Sequence, residues 1–219
     1  MAQLQSPSTA DLVTVEPTLK TLRAVIKPDQ QWGSYNLSAA SGALTGIAAN
    51  APIFSFRWAN GVGQLCVIKR ISIGFNCTTG FTAGQSMGYN LVMARNFLAS
   101  DTVGTAVAVG YTQNNKNRTS LYNSTVTDAR ISAAAALTAG TRTLDANPIA
   151  STYFYAQTTT AGALLPSTNL VSYNLNDYPI VLQNNEGFII TNALLMGAAG
   201  VGTAYVNVEW FETDGYRDN

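Results

Sequence analysis

The chain has 219 residues, 47% hydrophobic but only 11% charged, with no histidine and a formal net charge of zero. That length suffices for one well-buried β domain. Its charge is far below the roughly 25% of ordinary soluble domains, which points to surface covered by neighbours in an assembly, or to an extracellular β protein merely rich in Thr and Asn. Scattered basic residues and a pI near 6.2 exclude a nucleic-acid footprint, and the missing histidine excludes Ser-His-Asp and Cys-His catalysis and the common zinc and iron sites.

Residues 1–30 are polar and punctuated by Pro7, Pro17 and Pro28. We read them as an arm lying on a partner surface, the other reading being a first strand of the body. The apolar piece 19–26 fits a short amphipathic helix or an edge strand equally well. No basic stretch followed by an apolar core predicts a signal peptide, and no apolar run reaches the length of a membrane span.

The body is expected over residues 31–219. Strand-like runs recur at 35–38, 53–58, 65–75, 88–97 and 153–157 between Gly/Asn/Thr-rich joins, which fits a sandwich or barrel. Cys66 and Cys77 flank one such run, and an unbroken strand holds them apart. Two buried free thiols follow, in keeping with a reducing cytoplasm. The stretch from about 100 to 148 is less regular, with a polar segment at 113–120 and a possible helical turn at Ala133–Ala136. Long connections of this kind tend to carry binding surfaces.

The segment 178–212 reads as three short strands, 178–182, 188–195 and 204–212, separated by a turn at 184–187 and a small-residue loop at 197–202. It is expected to be the closing hairpin of an antiparallel sandwich. Val206, Val208 and Trp210 face the core with Trp58, Ile71 and Ile73, while Tyr205, Asn207 and Glu209 face water. Charge is uneven along the chain: residues 57–142 carry a balance of +6 and residues 143–219 one of −6. Interleaved strands would cancel this within one subunit; the alternative is complementary patches that set the register between copies.

Motifs for chemistry fail on inspection. Gly84-Gln85-Ser86-Met87-Gly88 has the G-x-S-x-G spacing of a nucleophile elbow, but no histidine exists to take the serine proton and a strand follows instead of a helix. Gly197–Gly202 precedes a strand, so no helix N-terminus is there for a pyrophosphate. Glu209, Glu212, Asp214 and Asp218 read as a solvated strand end. Tyr153, Phe154 and Tyr155 alternate faces, so at least one is core and another is free for an intersubunit contact or a sugar ring.

Residues 178–190 (YPIVLQNNEGFII) and 206–212 (VNVEWFE), with FSFRW at 54–58 and ALTAGTRTLDANP at 136–148, resemble jelly-roll virion structural proteins of tailed bacteriophages, of the capsid decoration or cement type. The resemblance implies an all-β, antiparallel jelly-roll-like β-sandwich with an extended N-terminal arm. It implies a protein on the head exterior of the virion, assembled in the bacterial host cytoplasm, that stabilises contacts between capsid subunits. Its partners would be the major capsid protein and itself, as a homodimer or homotrimer, with no nucleic acid and no membrane. No catalytic residue, cofactor or metal is implied. Leu12, Val13, Leu19, Leu22 and Ile26 are the candidate capsid contacts of the arm. Rival readings are another virion part (head fibre, tail or vertex accessory protein) and a carbohydrate-binding adhesin module; a fibre would carry a repetitive or coiled-coil shaft, which is missing.

Overall fold

Strands with alternating apolar residues keep one wet face, whereas strands apolar almost throughout are buried on both. Both kinds occur here. The computed structural model describes residues 4–5, 12–15, 22–23, 33–60, 63–109, 116, 123–156, 163–174 and 177–213, with no helix among them. In chain order the strands are β1 (Leu4–Gln5), β2 (Leu12–Val15), β3 (Leu22–Arg23), β4 (Gly33–Ala40), β5 (Pro52–Trp58), β6 (Leu65–Thr79), β7 (Gln85–Arg95) and β8 (Thr105–Ala106). They continue with β9 (Asp128–Ile131), β10 (Thr143–Leu144), β11 (Ala150–Ala156), β12 (Ala163–Ser172), β13 (Ile180–Leu182), β14 (Glu186–Asn192) and β15 (Val201–Thr213).

Two antiparallel sheets form the body. The β15 sheet runs β4-β15-β6-β12, with β13 also on β6. The β14 sheet runs β5-β14-β7-β11, with β10 also on β7 and with β9 and β8 added beyond β5. Taking the long strands β4, β5, β6, β7, β11, β12, β14 and β15 as one to eight, the first pairs with the eighth, the second with the seventh, the third with the sixth and the fourth with the fifth. A long hairpin has been rolled up so that its turns alternate between two sheets. This is the connectivity of a jelly roll.

Between the sheets lies an aromatic chain. Phe188 stacks on Phe56 at 5.1 Å, Phe56 meets the edge of Trp210 at 5.3 Å, and Trp210 stacks on Tyr35 at 5.6 Å. Each of these pairs adds about 0.5–1.5 kcal/mol beyond its area burial. The expected core residues Trp58, Ile71, Ile73, Val206, Val208 and Trp210 are all buried here. Cys66 and Cys77 are buried free thiols on the unbroken β6, eleven residues and so roughly 35 Å apart.

Two expectations need correction. The closing segment is not a hairpin: β13 joins β6, β14 crosses to the other sheet and β15 returns. Its Asn184-Asn185 turn is real, with Asn185 at φ 61, but a turn signal does not say whether the chain pairs with itself or changes layer. Ala133–Ala135 makes bends and Ala136 is irregular, so there is no helical turn here. β12 has no counterpart among the expected runs: its sequence holds Pro166, and the ladder with β6 shifts register between Leu165 and Thr168. In the N-terminal segment, β1, β2 and β3 pair antiparallel with one another, placing Leu12 and Val13 on β2 and Leu22 on β3. Leu19 and Ile26 lie outside the described residues.

Gly187, expected in the turn, belongs to β14. A Cβ there would stand 2.1 Å from the Phe56 carbonyl oxygen and 2.9 Å from the Phe97 ring. Close approach, not backbone conformation, requires glycine. Gly187→Ala is expected to cost about 1–3 kcal/mol, measured as a lower denaturant midpoint with an unchanged slope.

Candidate interaction surface

The outward side of the β14 sheet is covered by the chain itself. Ile189 of β14 and Ala94 of β7 point away from the sandwich interior, yet both are fully buried with Phe97 in a second small core. The connection from β7 to β11 makes that cover. It turns at Asn96 (φ 48), pairs β8 with β9 beyond β5, and returns to β10 beside β7. Arg57 on β5 ties it down: Nε donates to the Phe97 carbonyl at 2.7 Å and Nη2 to the Leu98 carbonyl at 2.6 Å.

Beneath the cover Asp101 and Arg142 form an ion pair whose side chains are 0% and 4% exposed. The Gly140 N–H donates to the same Asp101 oxygen at 2.9 Å, and the Arg142 guanidinium lies 5.5 Å from the Phe97 ring centre. Burial pushes the Arg142 guanidinium below its ordinary pKa. The pair fastens the two ends of the connection.

Glu212 is the second buried acid, and the expectation of a solvated strand end fails for it. It sits on the inward side of β15, only 1% exposed. Its carboxylate accepts from Ser124 Oγ at 2.7 Å, Thr125 Oγ1 at 2.8 Å, Thr125 N–H at 3.0 Å and Trp210 Nε1 at 3.1 Å. Desolvation raises its pKa above the ordinary carboxylate value, and these donors pull it partly back. The buried Glu212 charge in turn adds to burial in raising the Tyr35 phenol and the Cys66 thiol. Chemically this is a clamp that anchors residues 124–125, the lead into β9, to the end of β15. Glu209 stays partly exposed and pairs with Arg70; Asp214 and Asp218 lie outside the described residues.

Part of the charge asymmetry along the chain is met by ion pairs within the subunit. Arg70 pairs with Glu209, and Arg95 reaches Glu186 at 2.5 Å and Asp145 at 3.2 Å, each a basic residue of the first segment meeting acids of the second. Arg130 pairs with Asp128 at 2.9 Å within the first.

Two surfaces stand out among the described residues. On the outward face of the β15 sheet, the exposed Asn36, Ser38 and Ala40 of β4 stand opposite Glu209, Asn207 and Tyr205 on β15, which in turn face Arg70 and the buried Ser72 and Gly74 on β6. On the other sheet, Tyr153 and Tyr155 of β11 are 59% and 61% exposed, while Phe154 between them packs inward on Tyr89 at 5.6 Å and Phe75 at 6.4 Å. That alternation is the one the sequence predicts. Ser86 of the elbow-like motif is exposed on β7, with its neighbours Met87 and Tyr89 in the core. No family model and no curated protein matches the sequence.

Proposed function

We propose that this chain is a structural virion protein that binds the outside of a tailed-phage capsid and stabilises contacts between capsid subunits, acting as a homo-oligomer. The observation that carries the reading is the run of small uncharged side chains on β4 (Asn36, Ser38, Ala40) beside Asn207 and Tyr205 of β15, on the outward face of a jelly-roll frame. Small side chains there let an opposing backbone approach closely, and Arg70 and Glu209 on it pair with each other, with Lys69 exposed beside them. Such a face loses little on dehydration against a protein wall, unlike the charged surface of an ordinary monomer. Contacts across several capsid subunits exist only in the assembled shell, so they stabilise it by mass action. The N-terminal segment, with Leu12, Val13 and Leu22 on its short strands, supplies further contacts to the capsid.

Tyr205 is 40% exposed at the centre of that face. Tyr205→Glu is expected to weaken loading of purified protein onto shells lacking it by about tenfold, since it sets an unpaired charge in the contact, while leaving the melting temperature of the free protein nearly unchanged. Unchanged loading would remove this face from the proposal. The protein's copy number per particle, by quantitative mass spectrometry, should scale with the number of capsid subunits. A number fixed by a single vertex or by the tail would replace decoration with one of those roles.

A further inference from the structure

A sheet edge leaves a row of backbone N–H and C=O groups without partners, and proteins protect such rows with Lys, Pro, bulges or a covering segment. Most edges of this sandwich are protected in one of those ways. The β4 edge is bridged at Tyr35 by Lys116. Beyond β5 the sheet is extended by β9 and β8. The β12 edge carries Pro166 and two register shifts.

Strand β11 carries none of these residues, and β12 of the other sheet comes close beside part of it. Among the described residues it pairs with β7 alone, through seven consecutive residues without a shift. Its sequence, ASTYFYA, holds no charge and no proline. Tyr153 lies across Gly88, where a side chain would otherwise stand, and Tyr155 lies across Gly84 in the same way. Both rings are therefore held against β7 while more than half of each stays exposed.

We infer that the outer edge of β11 is the seam at which a second copy of this chain pairs, antiparallel, about a two-fold axis at Phe154. This names the contact for the homo-oligomer of the proposed function and rests on that part of it. A two-fold axis at Phe154 sets Tyr153 opposite Tyr155 of the other copy, and Thr152 opposite Ala156. The side-chain pattern is thus self-complementary. Because the strand is uncharged, self-pairing brings no like charges together, which an edge of Lys or Glu could not avoid. Four tyrosine rings then form one slab on the outward side, and the two β14 sheets become continuous. The inward Phe154 side chains keep their places against Tyr89 and Phe75. The seam and the β15 face lie on opposite sheets, so pairing leaves the proposed capsid face open.

The test is sedimentation equilibrium of the full-length protein, wild type against Tyr155→Lys and Tyr153→Lys, with circular dichroism to check that each variant folds. The seam predicts a wild-type dimer and self-association about tenfold weaker in each variant, because every substitution enters the contact twice. Register is read separately by mixing Tyr153→Cys with Tyr155→Cys protein under mild oxidation. The mixture should form a disulfide dimer, whereas either variant alone should not, since residues two positions off register stand about 7–8 Å apart. An oligomer that survives both lysine substitutions overturns the seam while leaving the oligomeric part of the proposed function standing. A wild-type protein that stays monomeric overturns both. Loss of capsid loading with an intact dimer would count against decoration only, and the seam would stand.

Discussion

Glu212→Ala is expected to be the most damaging single change at the end of the sandwich, costing about 3–5 kcal/mol. The substitution strands the Trp210 Nε1–H and the Thr125 N–H in a buried site, neither of which can turn to another acceptor, at about 1–3 kcal/mol each, and the lost side-chain volume adds a cavity term. The Ser124 and Thr125 hydroxyls can rotate and suffer less. Glu212→Gln should cost less, because a carboxamide oxygen at the Oε1 position still accepts from Trp210, Ser124 and the Thr125 N–H, while its NH2 meets the Thr125 hydroxyl, which can accept, at the cost of also facing the Thr125 N–H. The two variants also differ from wild type in pH dependence. With the folded-state pKa raised above the ordinary carboxylate value of 4.5, the folded protein holds this proton more tightly than the unfolded chain does. The group's contribution to stability is therefore fully present below pH 4.5 and is lost as pH rises through the folded pKa. Wild-type stability relative to Glu212→Gln should fall with rising pH across that window, in urea titrations run at a series of pH values. A difference that rises with pH would mean that the four donors, and not desolvation, dominate.

The clamp explains why part of the fold could be read from sequence and part could not. Alternation in 204–212 located the inward Val206, Val208 and Trp210 because a wet face repeats every second residue. The same alternation puts Glu212 on the inward side, in step with Trp210, and this was the available signal that the acid is buried. It lost to the general expectation that acids near a terminus are solvated. On β14 the signal was different again. GFIIT, like NLVMA on β7, is apolar without alternation, the mark of a strand covered on both faces, and it announced the cover that the β7–β11 connection lays over Ile189 and Ala94. What the sequence could not carry is which layer each strand joins. The Asn184-Asn185 turn and the loop before β15 look like hairpin connections, yet both change sheets, because rolling up a long hairpin is decided by non-local burial and not by turn chemistry. The candidate surfaces were legible to the same degree: alternation exposed Tyr153 and Tyr155, but only the topology makes β11 an edge.

The Asp101–Arg142 pair offers the sharpest test of how that cover is held. Asp101→Ala leaves a guanidinium buried beside Phe97 with its partner gone, and is expected to destabilise the protein by about 3–5 kcal/mol. Arg142→Met alone should be similarly costly, since Asp101 is then a buried carboxylate left with the Gly140 N–H. Removing both charges together, in Asp101→Ala with Arg142→Met, should cost far less than the two single changes added, because the desolvation penalty of each ion disappears with it. A double-mutant cycle in chemical denaturation measures that coupling. Hydrogen exchange locates it: in the single variants, protection should fall first at residues 97–102 and 137–142, whose backbone bonds Thr102 N–H to Thr138 O and Leu98 N–H to Thr141 O cross the cover, while β15 and β6 stay protected. Additive costs, or loss of protection across both sheets at once, would show that the cover folds as one unit with the sandwich and that the pair does not hold it. Localised loss would make the connection a separable layer on a jelly roll whose own two sheets close without it.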